Sequence, residues 1–273
     1  MELCEGTVDY LVKSSSHMTA AIVIIILYLA AEAFCVYSAI RVIRKVDLGE
    51  EMILIPIIVT LNITLIFRVL YFFGGLQPFC YYSYWYYYFN DLAALSKDMC
   101  LLCLLVRVWE YLSSLESADS IYQKNTKYTY VFMVVHFLIG YIFMLIEDSE
   151  AVDDILFHYL GGVQIILLFV FSYAFYKLFF ALRENAGSSV EKEVLIMNAV
   201  SIVVIITILA RTIYDLGILD TEWGTSTQDI VVFVFSVVSE LLPCVLVTFI
   251  LFFQKENLTD AVLRGSSFSK HNI

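Results

Sequence analysis

Charge is scarce in this chain. Asp, Glu, Lys and Arg make up 16 % of its 273 residues, against about a quarter in an ordinary soluble domain. That shortage excludes a conventional water-soluble fold. Histidine is scarcer still. His17, His136, His158 and His271 have no metal-ligand spacing, which removes a zinc-dependent membrane hydrolase. No lysine lies between Gln228 and Gln254, so a retinal Schiff base in the last apolar run is excluded. Gly-x-Gly-Asp and Gly-x-Ser-Gly are absent from the apolar runs, and with them the usual intramembrane protease signatures. The third run ends in LLVRVWEYL rather than an acidic-Arg-Tyr triplet, and the seventh lacks Asn-Pro-x-x-Tyr. Rhodopsin-class signatures are therefore missing. No catalytic constellation remains. The sequence points to a protein that is not an enzyme and requires neither metal nor cofactor.

What is present is apolar. Hydrophobic residues reach 61 % and aromatics 16 %, and the mean hydropathy is +0.83. The charges cluster between runs long enough, at about 1.5 Å per residue, to cross a hydrocarbon core about 30 Å thick. The expected fold is all-α: a polytopic membrane protein with a bundle of seven transmembrane helices at 17–43, 51–76, 88–114, 127–147, 153–183, 191–217 and 228–254. Residues 1–16 form a short acidic lumenal segment, 17–254 the membrane domain and 255–273 a cytoplasmic tail. The first span is too long for the apolar region of a cleaved signal peptide. Orientation follows from the basic residues. Arg41, Arg44, Lys45, Arg107, Lys124, Lys127, Lys177, Arg183, Lys192, Lys255, Arg264 and Lys270 share one side, and Lys13 alone takes the other. The N-terminus is therefore read as lumenal or extracellular and the C-terminus as cytoplasmic.

The lumenal connections are acidic (EDSEAVDD at 147–154, then Asp220, Glu222 and Asp229), in keeping with the net charge of −11. Neither nucleic acid nor anionic lipid is an expected partner of such a face; membrane lipid is the expected partner of the apolar runs. The stretch QPFCYYSYWYYYFN before the third helix is read as a loop forming an aromatic belt at headgroup level or a lid over the bundle mouth. Of six cysteines, Cys4 and Cys80 fall on the lumenal side and form a candidate disulfide. Cys35, Cys100, Cys103 and Cys244 are read as packing residues.

The informative departures from apolarity come in pairs. ITLIFRVLYFFG (63–74) and ITILARTIYDLG (206–217) share Ile, Thr, Arg, Tyr and Gly at the same offsets. Asp98 follows Arg68 by 30 residues and Glu240 follows Arg211 by 29. Helices one to three and five to seven thus read as parallel repeats joined by the fourth, related by an axis along the membrane normal. Helical rise places Arg68 and Arg211 about one to two turns on the lumenal side of two midplane acids, Asp98 and Glu240. Asp91, Lys97 and Asp215 belong to the same region, with Lys97 about 100° around the helix from Asp91 and Asp98. Glu32, Asn62, Asn198, Gln164 and His136 add polarity along the interior, His136 as a helix–helix contact. An ionisable group at this depth faces the bundle and finds a partner. Either the arginines pair with Asp98, Glu240 or Asp91 in an ion network that fixes helix register, or the cluster floors a pocket for a small polar or anionic ligand. Pro243, three residues after Glu240, removes one backbone hydrogen bond and is the candidate hinge.

The seventh helix, SELLPCVLVTFILFF (239–253), resembles the tobamovirus multiplication protein family of plants and the related lysosomal orphan-receptor-like proteins of animals. Glu240, Leu241, Leu242, Pro243, Leu246, Val247, Phe249, Ile250 and Leu251 carry the resemblance, with Leu61-Asn62 and Arg68 in the second helix, Asp91 and Trp109-Glu110-Tyr111 in the third, and Arg211 in the sixth. Phe252-Phe253-Gln254-Lys255 departs from the basic, proline-containing end usual there. The resemblance implies a receptor-like, N-out, seven-helix protein of the plasma membrane or an endolysosomal or vacuolar-type membrane. The expected function is a non-enzymatic receptor-like or scaffold protein with unknown cytoplasmic protein partners. The alternatives are a small-solute transporter with a midplane site between the repeats and a structural subunit of a larger membrane complex.

Overall fold

The structure is a computed structural model, and it describes residues 15–45, 54–75, 83–115, 120–146, 150–185, 191–215 and 234–248. Every described residue is helical. The elements are α1 (Ser15–Lys45), α2 (Leu54–Gly75), α3 (Ser83–Leu115), α4 (Ser120–Ile146), α5 (Glu150–Asn185), α6 (Glu191–Asp215) and α7 (Val234–Thr248). Four contain apolar stretches long enough to cross a membrane: Ile22–Arg41, Ile55–Phe73, Ile121–Ile146 and His158–Ala181. Among the described residues the protein is therefore all-helical with four membrane-spanning candidates. Asp91, Lys97 and Asp98 interrupt the apolar run of α3, while the apolar stretches of α6 and α7, Ser201–Ile213 and Val234–Thr248, are shorter.

Burial explains the order. α3 is apolar or small on nearly every side and is buried almost without break from Ala93 to Val106, with Met99 alone half-buried, as expected of a helix enclosed by others. Its neighbours are α2, α4 and α5. α1 lies on α2, α5 on α6, α6 on α7, and α7 returns to α1. Six helices thus close a ring, and α4 packs outside it against α3. Tyr28, Ile57, Leu61, Leu65, Phe171 and Ile208 belong to the ring's core, each no more than 2 % exposed. The outer faces are as apolar as the inner ones: Ile26, Val131, Leu145 and Phe169 are more than half exposed. Surface of this kind is uncommon in a soluble monomer and natural against lipid tails.

Several expected boundaries shift. α3 begins at Ser83, so half of the aromatic stretch expected as a loop is helix. Tyr and Trp are only mildly unfavourable in a helix, so this segment continues the helix that follows it. α4 begins at Ser120 rather than 127, carrying Lys124 and Lys127 on its first turns, and α5 extends to Asn185. Cys4 and Cys80 lie outside the described residues.

α4 meets α3 closely at Gly140, where an added Cβ would stand 2.8 Å from Leu95 Cδ1. A small residue here lets the two backbones approach. Gly140→Leu should push α4 outward and lower stability by about 1–3 kcal/mol. Thermal unfolding in mild detergent, read by fluorescence-detected gel filtration, checks this; an unchanged midpoint would mean that α4 sits farther from α3.

Candidate functional site: two buried polar centres

The first centre is built around Glu240. The register of α7 turns this carboxylate inward, where it is 3 % exposed. Arg68 Nη2 from α2 donates to Glu240 Oε1, and Arg211 Nη1 from α6 donates to the same oxygen at 3.0 Å. Tyr28 of α1 donates its hydroxyl to Oε2 at 3.0 Å. One carboxylate therefore joins α1, α2, α6 and α7. Arg68 reaches further, donating through Nη1 to Asn90 Oδ1 at 2.5 Å, while Asn90 Nδ2 donates to Asp91 Oδ1 at 2.9 Å. The guanidinium also lies 5.6 Å from the centre of the Tyr71 ring, within range of a cation–π contact.

The backbone beside Glu240 is irregular. Val237–Leu241 is a π-helical turn, and the Leu242 N–H donates to the Val237 carbonyl five residues back. Pro243 explains its position. Lacking an N–H, it cannot donate to Ser239 C=O, and the ladder is displaced by one residue just ahead of it. Neighbouring side chains stitch the displaced turn: Thr207 Oγ1 of α6 donates to Val238 C=O at 3.3 Å, and the Tyr28 hydroxyl lies 3.4 Å from Ser236 C=O. The distortion expected at Pro243 is thus a local π turn tied to α1 and α6.

The second centre is Asp98. Gln164 Nε2 of α5 donates to Asp98 Oδ1. Lys97 Nζ lies 3.8 Å from that oxygen, and His136 Nε2 of α4 lies 3.5 Å from Oδ2. The other ring nitrogen of His136 hydrogen-bonds the Tyr159 hydroxyl at 2.8 Å. Asp98, His136 and Gln164 are each no more than 1 % exposed. Lys97 corrects the expectation from its helical angle. Its flexible stem turns the ammonium back to its neighbour's carboxylate, and the residue is 4 % exposed. His136 is the helix–helix contact expected of it.

No family model, curated protein or solved structure matches this chain. Its chemistry is therefore read from its own geometry. Among the described residues no three His, Cys, Asp or Glu side chains gather as a metal ion requires. The four buried cysteines are free; Cys103 Sγ lies 3.7 Å from Met133 Sδ, and Asn62 Nδ2 lies 3.4 Å from Cys35 Sγ. Glu32 is half-buried. The side chains of Asp215 and Asn198 lie outside the described residues.

The expected cluster of seven divides. Arg68, Arg211 and Glu240 form one centre, which Asp91 joins through Asn90; Lys97 and Asp98 form the other. The open choice of acid for the two arginines is decided in favour of Glu240 for both. Tyr28 and Asn90 are additions. Their signal in the sequence was faint: a Tyr inside an Ile/Leu run and an Asn between Phe89 and Asp91. Arg68 Nε, Gln164 Oε1 and Ser239 Oγ are buried with no hydrogen-bond partner among the described residues.

Removing one member of a buried ion pair strands its partner and typically costs about 3–5 kcal/mol. Asp98→Leu, which takes the carboxylate from Lys97, His136 and Gln164, should fall in that range. Asp98→Leu/Lys97→Met should recover part of the loss. Thermal melts of the three proteins in detergent check this; a double variant no more stable than Asp98→Leu would contradict the pairing.

Proposed function

We propose that this protein is a non-enzymatic, receptor-like or scaffold membrane protein of seven spans, whose interior ion network sets the arrangement of its helices. The observation that carries the proposal is the sharing of Glu240 by Arg68, Arg211 and Tyr28. A carboxylate shared in this way holds helices in register, and two alternative registers of such a lock are what a receptor-like protein would exploit. In this reading α3, α6 and α7 join the four long apolar helices as spans. The loop charges support an N-terminus outside and Lys/Arg-rich connections in the cytoplasm, available to protein partners.

The order of helices around the ring supports the repeat. α1–α2 and α5–α6, α2–α3 and α6–α7, and α3–α5 and α7–α1 are corresponding neighbours under a two-fold exchange, and α4 stands apart. The resemblance of the seventh helix to the tobamovirus multiplication and orphan-receptor-like families supports the receptor-like class. It also supports placement in the plasma membrane or an endolysosomal or vacuolar-type membrane.

One observation favours a second reading, transport of a small solute. A π turn beside a buried acid is the kind of helix irregularity found at transporter binding sites. Native mass spectrometry of the protein from mild detergent separates these readings, with the wild type beside Arg211→Met. The scaffold reading expects no bound mass that depends on Arg211: any retained lipid is the same on both forms. A discrete polar or anionic mass on the wild type, lost from folded Arg211→Met, would overturn it in favour of a ligand or transport site.

A further inference from the structure

α4 packs on α3 and touches α5 only sparingly. Between the three lies a groove of about 430 Å³, and none of its lining residues belongs to either polar centre. One end is apolar, formed by Leu102, Leu105, Phe132, Ile166 and Leu167; the other holds Trp109, Asn125, Tyr128, Thr129 and Tyr173. Each helix contributes about two turns, so the groove runs about 10 Å along the bundle. It opens sideways rather than inward. Phe169 is 70 % exposed and Tyr128 69 %, whereas Leu105 and Leu167 on the floor are nearly inaccessible.

The polar end is also the basic end. Trp109 lies 6.1 Å from the rings of both Tyr122 and Tyr173, which brings the start of α4 beside the later half of α5. Lys124 precedes Tyr128 by one turn on the same stripe of α4, and Lys177 follows Tyr173 by one turn on the same stripe of α5. Both lysines therefore flank the same mouth. Lys124 is exposed and Lys177 half-exposed, and neither forms an ion pair among the described residues. Trp109 adds a second observation. Its ring lines the groove, the residue is 2 % exposed, and its Nε1–H has no acceptor within the described protein. A buried indole N–H normally has one.

We propose that this groove is a binding site for one anionic glycerophospholipid. An acyl chain lies on the Leu/Ile/Phe floor, an ester carbonyl accepts from Trp109, and the phosphate and headgroup charge sit between Lys124 and Lys177. Charge selects the occupant. A neutral lipid would fill the floor equally well but leave both lysines without counter-charge among the described residues, while two lysines together favour an anionic headgroup by about thirtyfold.

The test is native mass spectrometry of delipidated full-length protein titrated with phosphatidylserine or phosphatidylcholine of identical acyl chains. Wild type is compared with Lys124→Gln/Lys177→Gln and with Val170→Trp, which fills the groove. The expected result is one phosphatidylserine retained about thirtyfold more tightly than phosphatidylcholine. The preference should vanish in the lysine variant, and retention of either lipid should fall in the tryptophan variant. Equal retention of the two lipids, or a preference that survives loss of both lysines, would overturn the site. So would unchanged retention in folded Val170→Trp, which marks the lipid as annular only. If Val170→Trp fails to fold, the lysine variant decides alone, because its changes lie at the accessible mouth of the groove.

Discussion

Glu240 is the constraint on which the rest of the bundle depends. A buried carboxylate is costly alone, and two buried guanidiniums are costlier; brought together, they offset much of one another's cost. Because the three charges come from α2, α6 and α7, and Tyr28 adds α1, the helices cannot slide or rotate independently without stranding a charge. The apolar core alone would not enforce this, since Leu and Ile are nearly as comfortable against lipid as against each other. Polar side chains supply the specificity that hydrophobicity cannot supply in a bilayer.

The same logic accounts for the division of the charged residues. Arg68 and Arg211 both donate to Glu240, and Asp98 takes its partners from α4 and α5, which offer His136 and Gln164. Asp98 therefore ties α3 to its outer neighbours while Glu240 ties the remaining helices together. The π turn at Val237–Leu241 belongs to this scheme. Pro243 breaks the ladder at the point where Thr207 and Tyr28 reach the backbone, so a local defect becomes another pair of interhelical contacts.

Much of this was legible in the sequence, and the limits have physical causes. The inward-facing Arg68, Arg211, Asp98 and Glu240 announce themselves because nothing else in an apolar run is so expensive to leave exposed. Helix existence followed from long apolar runs in the same way, with α3 betrayed by its charges. Partner choice was not legible. Depth along a helix comes from counting residues, but which of two acids meets an arginine depends on rotation and packing, which an apolar sequence barely constrains. Lys97 failed for a related reason: helical angle locates its Cβ, while four methylenes let the ammonium return to Asp98. The early starts of α3 and α4 were hidden because Tyr, Trp, Asn and Lys resemble loop composition, although they are equally at home where a helix meets the headgroups.

The shared role of Glu240 is tested most directly by a stability cycle on Arg68, Arg211 and Glu240, each replaced by methionine singly and all together, with thermal melts in one detergent. Glu240→Met leaves both arginines buried without their acid and should be the most damaging single change, by about 3–5 kcal/mol. The triple variant, an apolar core of similar volume, should regain most of that loss. A triple variant as unstable as the sum of its singles would mean that the three side chains act independently, and would contradict the account.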